Sequence, residues 1–580
     1  MYPSMKLEFP AEFDFVKQDI ERYGFWEPRT TDYIKSHLKK GQIFVDVGAQ
    51  VGYYTVIASQ LGAKVYAFEP STTNRELLLK NIQDNKCRNV KVFSEALSNK
   101  SGYSTLYAGK TPGQNSLNGT GGGEEVMLEG YDNMDLPEPD FIKIDVEGHE
   151  QQVLEGMDSV LKTDKPITII LEDWFNRVTD WLIDNYGFTL VTTERAYGNR
   201  ILVKNQKCTP VEEPLRIHLL GTFNTPTTLA DEGVGNAFAS KVVRMAKILK
   251  KLGHYVIFYG VEGSDVECDE FVQVSTKEVL EQAYGKWEKD KVYGCNIGDI
   301  AYKTFNENCI KEINKRKLWG DFLLCCHGSY QKPIADAVNI PDTLEIGIGY
   351  TGSFARFRIF ESRFQMNWSY GAEGVGDINF YNTVIPGCFD PKDFDYIEKK
   401  DDYFLYLGRI VQRKGVLIAQ QVCEKLGKKL IIAGFGMTEE ENKVDGKFFK
   451  DIIKMPNVEF VGFAGLEKRK ELMSRAKAVF MPTTYLEPFG YVALEANFSG
   501  TPVITTTGGA FTETIQDGVN GYKCNTFKEF VDATKNIDKI KPKNCRKWAM
   551  DNYSIDVTVP KYKKYFDQIL GLYGLGWYKL

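Results

Sequence analysis

Short β-branched apolar runs alternate with helical patterns along almost the whole of this 580-residue chain. That alternation constrains the fold more than any other feature. "QIFVDVGA", "KVYAFEP", "VKVFSEAL", "DFIKIDVEG" and "ITIILED" come first. "RIHLLGT", "YVIFYG" and "FLLCCHG" follow, and then "YFLYLGR", "KLIIAGFG", "VEFVGF", "AVFMPTT" and "PVITTT". Runs this apolar need cover on both faces, which parallel strands joined by crossover helices obtain. The pattern repeats about three times, and a chain of this length is too large for one core, so about three or four domain-sized units are expected. The expected class is α/β, with Rossmann-like units in series.

One boundary is expected near Thr209, in the polar stretch "KNQKCTPVEEP", because a new strand starts directly after it. A softer one is expected in "GCFDPKDFDYIEKKDD", Gly387 to Asp402. The units are then 1–208, 209–390 and 391–580. The tail has helical spacing through Tyr562, Tyr565, Phe566, Ile569 and Leu570.

Hydrophobic content of 43% and charged content of 26% suit a globular protein, and a net charge of -6 gives no basic face for nucleic acid. The eleven cysteines form no C-x-x-C pair and read as buried or free thiols in a reducing compartment. Cys325 and Cys326 read as core strand. The first residues lack the pattern of a signal peptide, and no run of about eighteen apolar residues occurs. The expectation is a cytoplasmic protein with no transmembrane segment, loose membrane attachment through a surface patch remaining open.

In "VDVGAQVGYYT" a strand leads through Asp46 into a turn with Gly48 and Gly52, then a helix from Tyr53. Glycine lets backbone approach a ligand closely, though such a turn also suits dinucleotides or tight packing. Its G-x-x-x-G spacing and lack of a Walker lysine disfavour phosphate gripping. Glu69 ends the next strand, where a carboxylate can accept both hydroxyls of an adenosine ribose. "SEALS", with Glu95 and Ala96, ends a third strand where an adenine could be lined. Asp145, Glu147 and Glu150 then cluster in "DFIKIDVEGHEQQVLEGM". Carboxylates so close repel unless a cation, a substrate hydroxyl or solvent engages them. They also read as solvated acids at a helix start, which the helix dipole favours.

These segments, in this order, resemble the FkbM-type family of S-adenosylmethionine-dependent O-methyltransferases over about residues 40–205. Gln50 stands where the family usually has Asn. The resemblance implies that Asp46, Gly48, Gln50, Gly52, Glu69, Glu95 and Ala96 hold the cofactor, and that Asp145 to Glu150 face the methyl acceptor. Asp145, Glu147 or His149 would be the base, His149 the last of the three because an exposed first-turn histidine is more often just solvated. A divalent ion on Asp145 and Glu147, acidifying the acceptor hydroxyl, is left open; no metal ligand is otherwise assigned.

"EPFGYVALE", Glu487 to Glu495, sets two carboxylates across a Pro-Phe-Gly turn at the start of a helix. The helix N-terminus suits a diphosphate, and Glu495 would reach ribose hydroxyls. Upstream, "YLGRIVQRKG" supplies Arg409 and Lys414, two cations that could neutralise a pyrophosphate without metal. Each set alone also reads as a capped helix or a solvated loop. Together at strand ends they argue for a ligand crevice.

With "LIIAGFG", "VEFVGF" and "GTPVITTTGGAFTETIQDGVNGY", this part looks like the retaining, nucleotide-sugar-dependent glycosyltransferases of the GT-B fold, the E-x7-E family, over about residues 400–525. That resemblance implies Arg409 and Lys414 on the phosphates, Glu495 on ribose, Glu487 on the donor sugar, Phe489 and Gly490 in the donor turn, and backbone near Val461 to Phe463 on the base. Residues 215–385 match more loosely. There Gly233 and Gly235 would approach the donor phosphates or acceptor, and His327 reads either as an active-site histidine or as a core one. The last helix, about 560–580, would cross back to the first half. No clear D-x-D motif of the metal-dependent type stands in the donor half, so no metal is expected for sugar transfer.

The leading expectation is a bifunctional enzyme that adds a sugar from a UDP- or GDP-sugar to a glycan acceptor and O-methylates a sugar hydroxyl with S-adenosyl-L-methionine. One alternative keeps only the glycosyltransferase, with the first unit a degenerate docking module. A glycan-binding assembly protein on inactive folds is a third, disfavoured because Arg409, Lys414, Glu487 and Glu495 are all present. Oligomeric state, donor sugar and acceptor are not readable.

Overall fold

Each apolar run becomes a strand whose alternate residues enter cores on opposite sides of a sheet. The computed structural model describes residues 6–9, 26–109, 115–120, 122–174, 176–194, 197–206, 214–229, 236–286, 296–318, 320–376, 381–434, 447–448 and 450–570. Two compact units divide the chain, one within Met1–Glu213 and one spanning Pro214–Leu570. The expected boundary at Thr209 lies outside the described residues, as do Gly233, Gly235 and residues 571–580.

The first unit is built on β1 (Ile43–Val47), β2 (Lys64–Phe68), β3 (Val90–Phe93), β4 (Ala96–Leu97), β5 (Gly102–Tyr107), β6 (Gly123–Glu129), β7 (Phe141–Ile144), β8 (Ile167–Glu172), β9 (Thr189–Glu194) and β10 (Asn199–Lys204). The main sheet runs β3-β2-β1-β7-β8-β10-β9, with β4-β6-β5 a separate small sheet. Strands β1, β2, β3, β7 and β8 are parallel, whereas β10 is antiparallel to both β8 and β9. The short link from β9 to β10 leaves no room for a crossover, which parallel pairing would need. Val45 and Val47 enter one core with Phe68, Ile142 and Ile169; Phe44 enters the other with Tyr53, Ile57 and Ile170.

The second unit holds two lobes. Its first sheet contains β11 (Arg216–Leu220), β12 (Tyr255–Val261), β13 (Glu270–Ser275), β14 (Phe322–Cys325), β15 (Asp342–Ile348), β16 (Phe357–Phe360) and β17 (Thr383–Val384), in the order β13-β12-β11-β14-β15-β16-β17. Its second contains β18 (Tyr403–Leu407), β19 (Lys429–Ala433), β20 (Val458–Gly462), β21 (Ala478–Met481), β22 (Val503–Thr506) and β23 (Gly521–Cys524), in the order β20-β19-β18-β21-β22-β23. Both are parallel throughout. Two such lobes in tandem are the GT-B architecture.

The helix Ala237–Lys251 links the lobes through its two faces. Asn236 caps it, its side-chain oxygen accepting from the backbone N–H groups of Phe238 at 3.0 Å and Ala239 at 3.4 Å. Ala239, Val242, Val243, Ala246 and Leu249 are buried. Lys241, Arg244, Lys247 and Lys251 recur at helical spacing and meet carboxylates of Glu361, Glu495, Asp393 and Asp556 at 2.9, 3.9, 3.7 and 2.7 Å. The helix Ile555–Leu570 returns to the first lobe, where Phe566 packs edge-on against Phe322 and His254. Among the described residues, no helix is long and apolar enough to cross a membrane.

Candidate active sites

In the first unit the turn after β1, the ends of β2 and β7 and the small sheet border a half-open cleft. It is lined by Gly48, Gln50, Glu69, Glu95, Ala96, Asp145, Glu147 and His149, with Phe68, Leu97 and Leu106 supplying apolar wall. This is where parallel sheets place ligands, beyond the carboxyl ends of their strands. The turn depends on Gly48. Its φ is 78°, and a Cβ there would lie 2.0 Å from the Asp145 carbonyl oxygen. Glycine alone lets the two strand ends close on one another.

Glu69 is buried, with one carboxylate oxygen accepting from the Gln50 N–H at 2.8 Å and the other from the Ser71 N–H at 2.9 Å. Burial nonetheless pushes its carboxyl up to about 7. Asp46 does not line the cleft. It is 2% exposed, and its carboxylate accepts from the Thr55 hydroxyl at 2.6 Å, which ties β1 to the helix Tyr53–Gln60. Gly52, with φ of 89°, begins that helix.

The acids of "DVEGHE" separate into two groups. Asp145 and Glu147 face the cleft, and Glu147 sits in the left-handed region at φ 50°. Burial, with Asp145 beside it, lifts Glu147 to about 7. Glu150 does not line the cleft: its carboxylate takes the N–H groups of Gly148 at 3.0 Å and Val146 at 3.4 Å. His149 is buried rather than solvated, its Nε2 lying 3.1 Å from the Ser98 hydroxyl, and burial lowers its pKa.

Two further residues were not legible in the motif. Lys143 is fully buried, with its ammonium 3.3 Å from Asp145. Burial opposes its charge, but Asp145 and then Glu27 hold it above its ordinary value. Glu172, at the end of β8, brings a carboxylate oxygen to the same place. Among the described residues, Asp145, Glu147 and Glu172 form the one acidic trio whose ligand atoms all lie within 4.8 Å. Glu172 accepts from the Trp174 indole N–H, and burial, then Asp145 and Glu147, push it up to about 9. The rule that strand ends carry ligands could have found it in "ITIILED".

In the second unit Arg409 follows β18, Phe463 follows β20 and Glu487 follows β21, all at carboxyl ends of one sheet. Lys414 lies 3.5 Å from Glu487 Oε2, and the Tyr485 hydroxyl donates to that same oxygen while also meeting Lys414. Gly490, at φ 86°, begins the helix Tyr491–Phe498. Glu495 is held by Arg469 at 2.5 Å and approached by Arg244. The Phe489 ring is not available to a ligand: it is 2% exposed, in an apolar cluster with Phe389, Leu494, Phe498, Ala549 and Tyr553. A donor would meet only backbone there. His327, just past β14, is 2% exposed and packs on Phe238, Phe223 and Tyr330. Burial, and then Lys241, bring it down to about 4, so its ring is neutral.

Comparison with known proteins agrees with this division. Residues 46–200 match the family Methyltransferase FkbM domain, and residues 391–551 match Glycosyl transferases group 1. The hexuronic acid methyltransferase AglP of Haloferax volcanii is 30% identical over 168 residues, covering 26% of this chain and 66% of that protein. An uncharacterized glycosyltransferase of Methanocaldococcus jannaschii is 33% identical over 133 residues, 22% of this chain and 32% of that one. The chain thus matches less than a third of the length of its first curated glycosyltransferase relatives. A sucrose-phosphate synthase structure from Thermosynechococcus elongatus is similar over 61% of this chain and 99% of its own, at 16% identity and a TM-score of 0.47. The chain carries, in one polypeptide, a stretch similar to the methyltransferase FkbM domain and a stretch similar to glycosyl transferases group 1.

Proposed function

We propose that the protein is a bifunctional glycan-modifying enzyme. The first unit methylates a sugar hydroxyl with S-adenosyl-L-methionine; the second transfers a sugar, with retention, from a UDP- or GDP-sugar to a glycan acceptor. The observation that supports this most is the gathering of Glu69, Asp145 and Glu147 around one cleft of the first unit, with Glu487 and Lys414 paired at strand ends of the second. The Haloferax relative is named for methylating a hexuronic acid, which supports a sugar as methyl acceptor.

The cleft fits the cofactor's chemistry. Glu69 offers carboxylate oxygens to ribose hydroxyls, bare backbone at Gly48 admits close approach, and Phe68, Leu97 and Leu106 wall an apolar end. When bound, the cofactor supplies a methyl group on a strongly electrophilic sulfonium. The chain's work is to orient the acceptor hydroxyl and take its proton. Glu147, raised to about 7, is matched to that task near neutral pH. Asp145, paired with Lys143, is held at the same edge. Asp145, Glu147 and Glu172 are the residues that would hold a divalent cation, a hard ion suited to oxygen ligands, and it would acidify the acceptor hydroxyl.

For sugar transfer Arg409 and Lys414 would stabilise the departing diphosphate, Glu495 would take ribose hydroxyls and Glu487 would address the donor sugar. Tethering both units raises the effective concentration of a shared acceptor. Calorimetry with S-adenosyl-L-methionine, and a melting screen against UDP- and GDP-sugars, test the reading. Binding of both ligand classes is expected, since each stabilises the folded state. Failure of the cofactor to bind would leave the first unit a docking module.

A further inference from the structure

The E-x7-E turn is fastened to the opposite lobe by a trio, one member buried and two half-buried. Glu361, just beyond β16 of the first sheet, is 3% exposed. Lys241 lies 2.9 Å from its Oε1, and the Tyr491 hydroxyl donates to that same oxygen from inside the motif. Lys241 also donates to the Gly347 carbonyl at 2.8 Å, so the ammonium is held from two sides. Burial, and then Glu361, keep the Tyr491 phenol well above its ordinary pKa, so it stays a donor. Gly387 makes room for it: a Cβ there would lie 2.4 Å from the Tyr491 oxygen.

Neighbouring contacts repeat the connection. The Ser362 hydroxyl donates to the Pro488 carbonyl at 2.7 Å, and the Arg363 and Phe364 N–H groups donate to the Glu513 carboxylate at 3.0 and 2.8 Å. Two consecutive residues of one lobe, Glu361 and Ser362, thus hold the turn that carries Glu487, and the next two hold Glu513 of the turn's own lobe. The outer pair Lys251–Asp556 is largely exposed and contributes little by comparison. On the first-lobe side, the Lys241 ammonium lies 5.3 Å from the Phe238 ring centroid, and that ring lies 4.3 Å from the ring of His327.

We propose that Tyr491, Glu361 and Lys241 form an interlobe latch whose role is to position the Glu487–Glu495 segment against the first lobe for sugar transfer. They are positioning residues: they act through the turn and not on the sugar. The inference rests on the sugar-transfer reading of the second unit. Transfer needs groups from both lobes aligned on one donor, and small misplacements of such groups cost rate far more than affinity.

The test uses the full chain with Tyr491→Phe, which removes only the hydroxyl and keeps the ring against Phe389 and Phe489. Two readouts are taken. Hydrogen exchange should quicken at least about tenfold in 362–365 and 487–493 together, with the first unit unchanged. Sugar transfer should lose about tenfold in kcat, with the donor KM and the melting temperature nearly unchanged. Unchanged exchange overturns the latch. Quickened exchange with kcat within about twofold overturns the positioning role, as does equal loss of kcat, donor affinity and melting temperature, which marks a merely structural part. If the unaltered protein transfers no sugar, the reading of the second unit fails, while exchange still decides the latch.

Discussion

Arg469 and Glu495 form a close ion pair, a guanidinium nitrogen lying 2.5 Å from one carboxylate oxygen, while Arg244 of the opposite lobe approaches the other oxygen at 3.9 Å. The residue expected to grip the donor ribose is therefore already oriented before any ligand arrives. Arg244 is itself fixed over the rings of Phe389 and Tyr491, at 4.4 and 5.0 Å from their centroids.

Arg469→Met leaves a half-buried carboxylate with one distant cation. Unfolding in urea should show a loss of about 1–3 kcal/mol, between the values for exposed and buried pairs. Calorimetry with whichever nucleoside diphosphate binds the unaltered protein should show affinity weakened by about tenfold. Unaltered affinity would mean that Glu495 needs no orienting partner.

Glu69 makes cofactor binding depend on pH. Its carboxyl rises from an ordinary 4.5 to about 7 because it is buried. A group raised on folding stabilises the fold fully below its unfolded value, and that stability is lost as pH rises through the folded one. For Glu69 alone this is roughly 3 kcal/mol. Glu147 near 7 and Glu172 near 9 act in the same direction, so the melting temperature of the first unit should fall between pH 5 and 9. Ribose hydroxyls donate to the ionised form. Affinity for S-adenosyl-L-methionine should therefore increase as pH rises through about 7, with proton release seen as a buffer-dependent heat. Glu69→Gln should bind weakly and without that dependence.

Glu147→Gln keeps the shape of the cleft and removes the proton acceptor. Methyl transfer should fall by about 10²–10⁴-fold in kcat while cofactor affinity holds. If the rate survives and Asp145→Asn abolishes it instead, Asp145 is the base.

The sequence made the local chemistry legible and the long-range chemistry not. Gly48, Glu69, Asp145 and Glu147 were readable because each stands just past an apolar run, and parallel sheets bring such positions to one edge. Glu172 escaped because only the pairing of β8 with β7 brings it to Asp145. Arg469 and Arg244 sit on helices outside the quoted motifs, and their partner lies across sequence or lobe. Asp46 and Phe489 belong to recognisable motifs, yet Asp46 turns to Thr55 and Phe489 into the core. A motif marks which residues a turn requires, and some of those build the turn instead of touching the ligand. The antiparallel end of the first sheet follows from a short link that the strand pattern did not weigh.

The most direct test of two separate active sites in one chain is a paired assay of full-length Glu487→Ala and Glu69→Gln, scoring sugar and methyl incorporation on the same glycan acceptors. Glu487→Ala should lose sugar transfer and retain methyl transfer, and Glu69→Gln should do the opposite, with both variants folded. Loss of both activities from either single change in a folded protein would contradict the account.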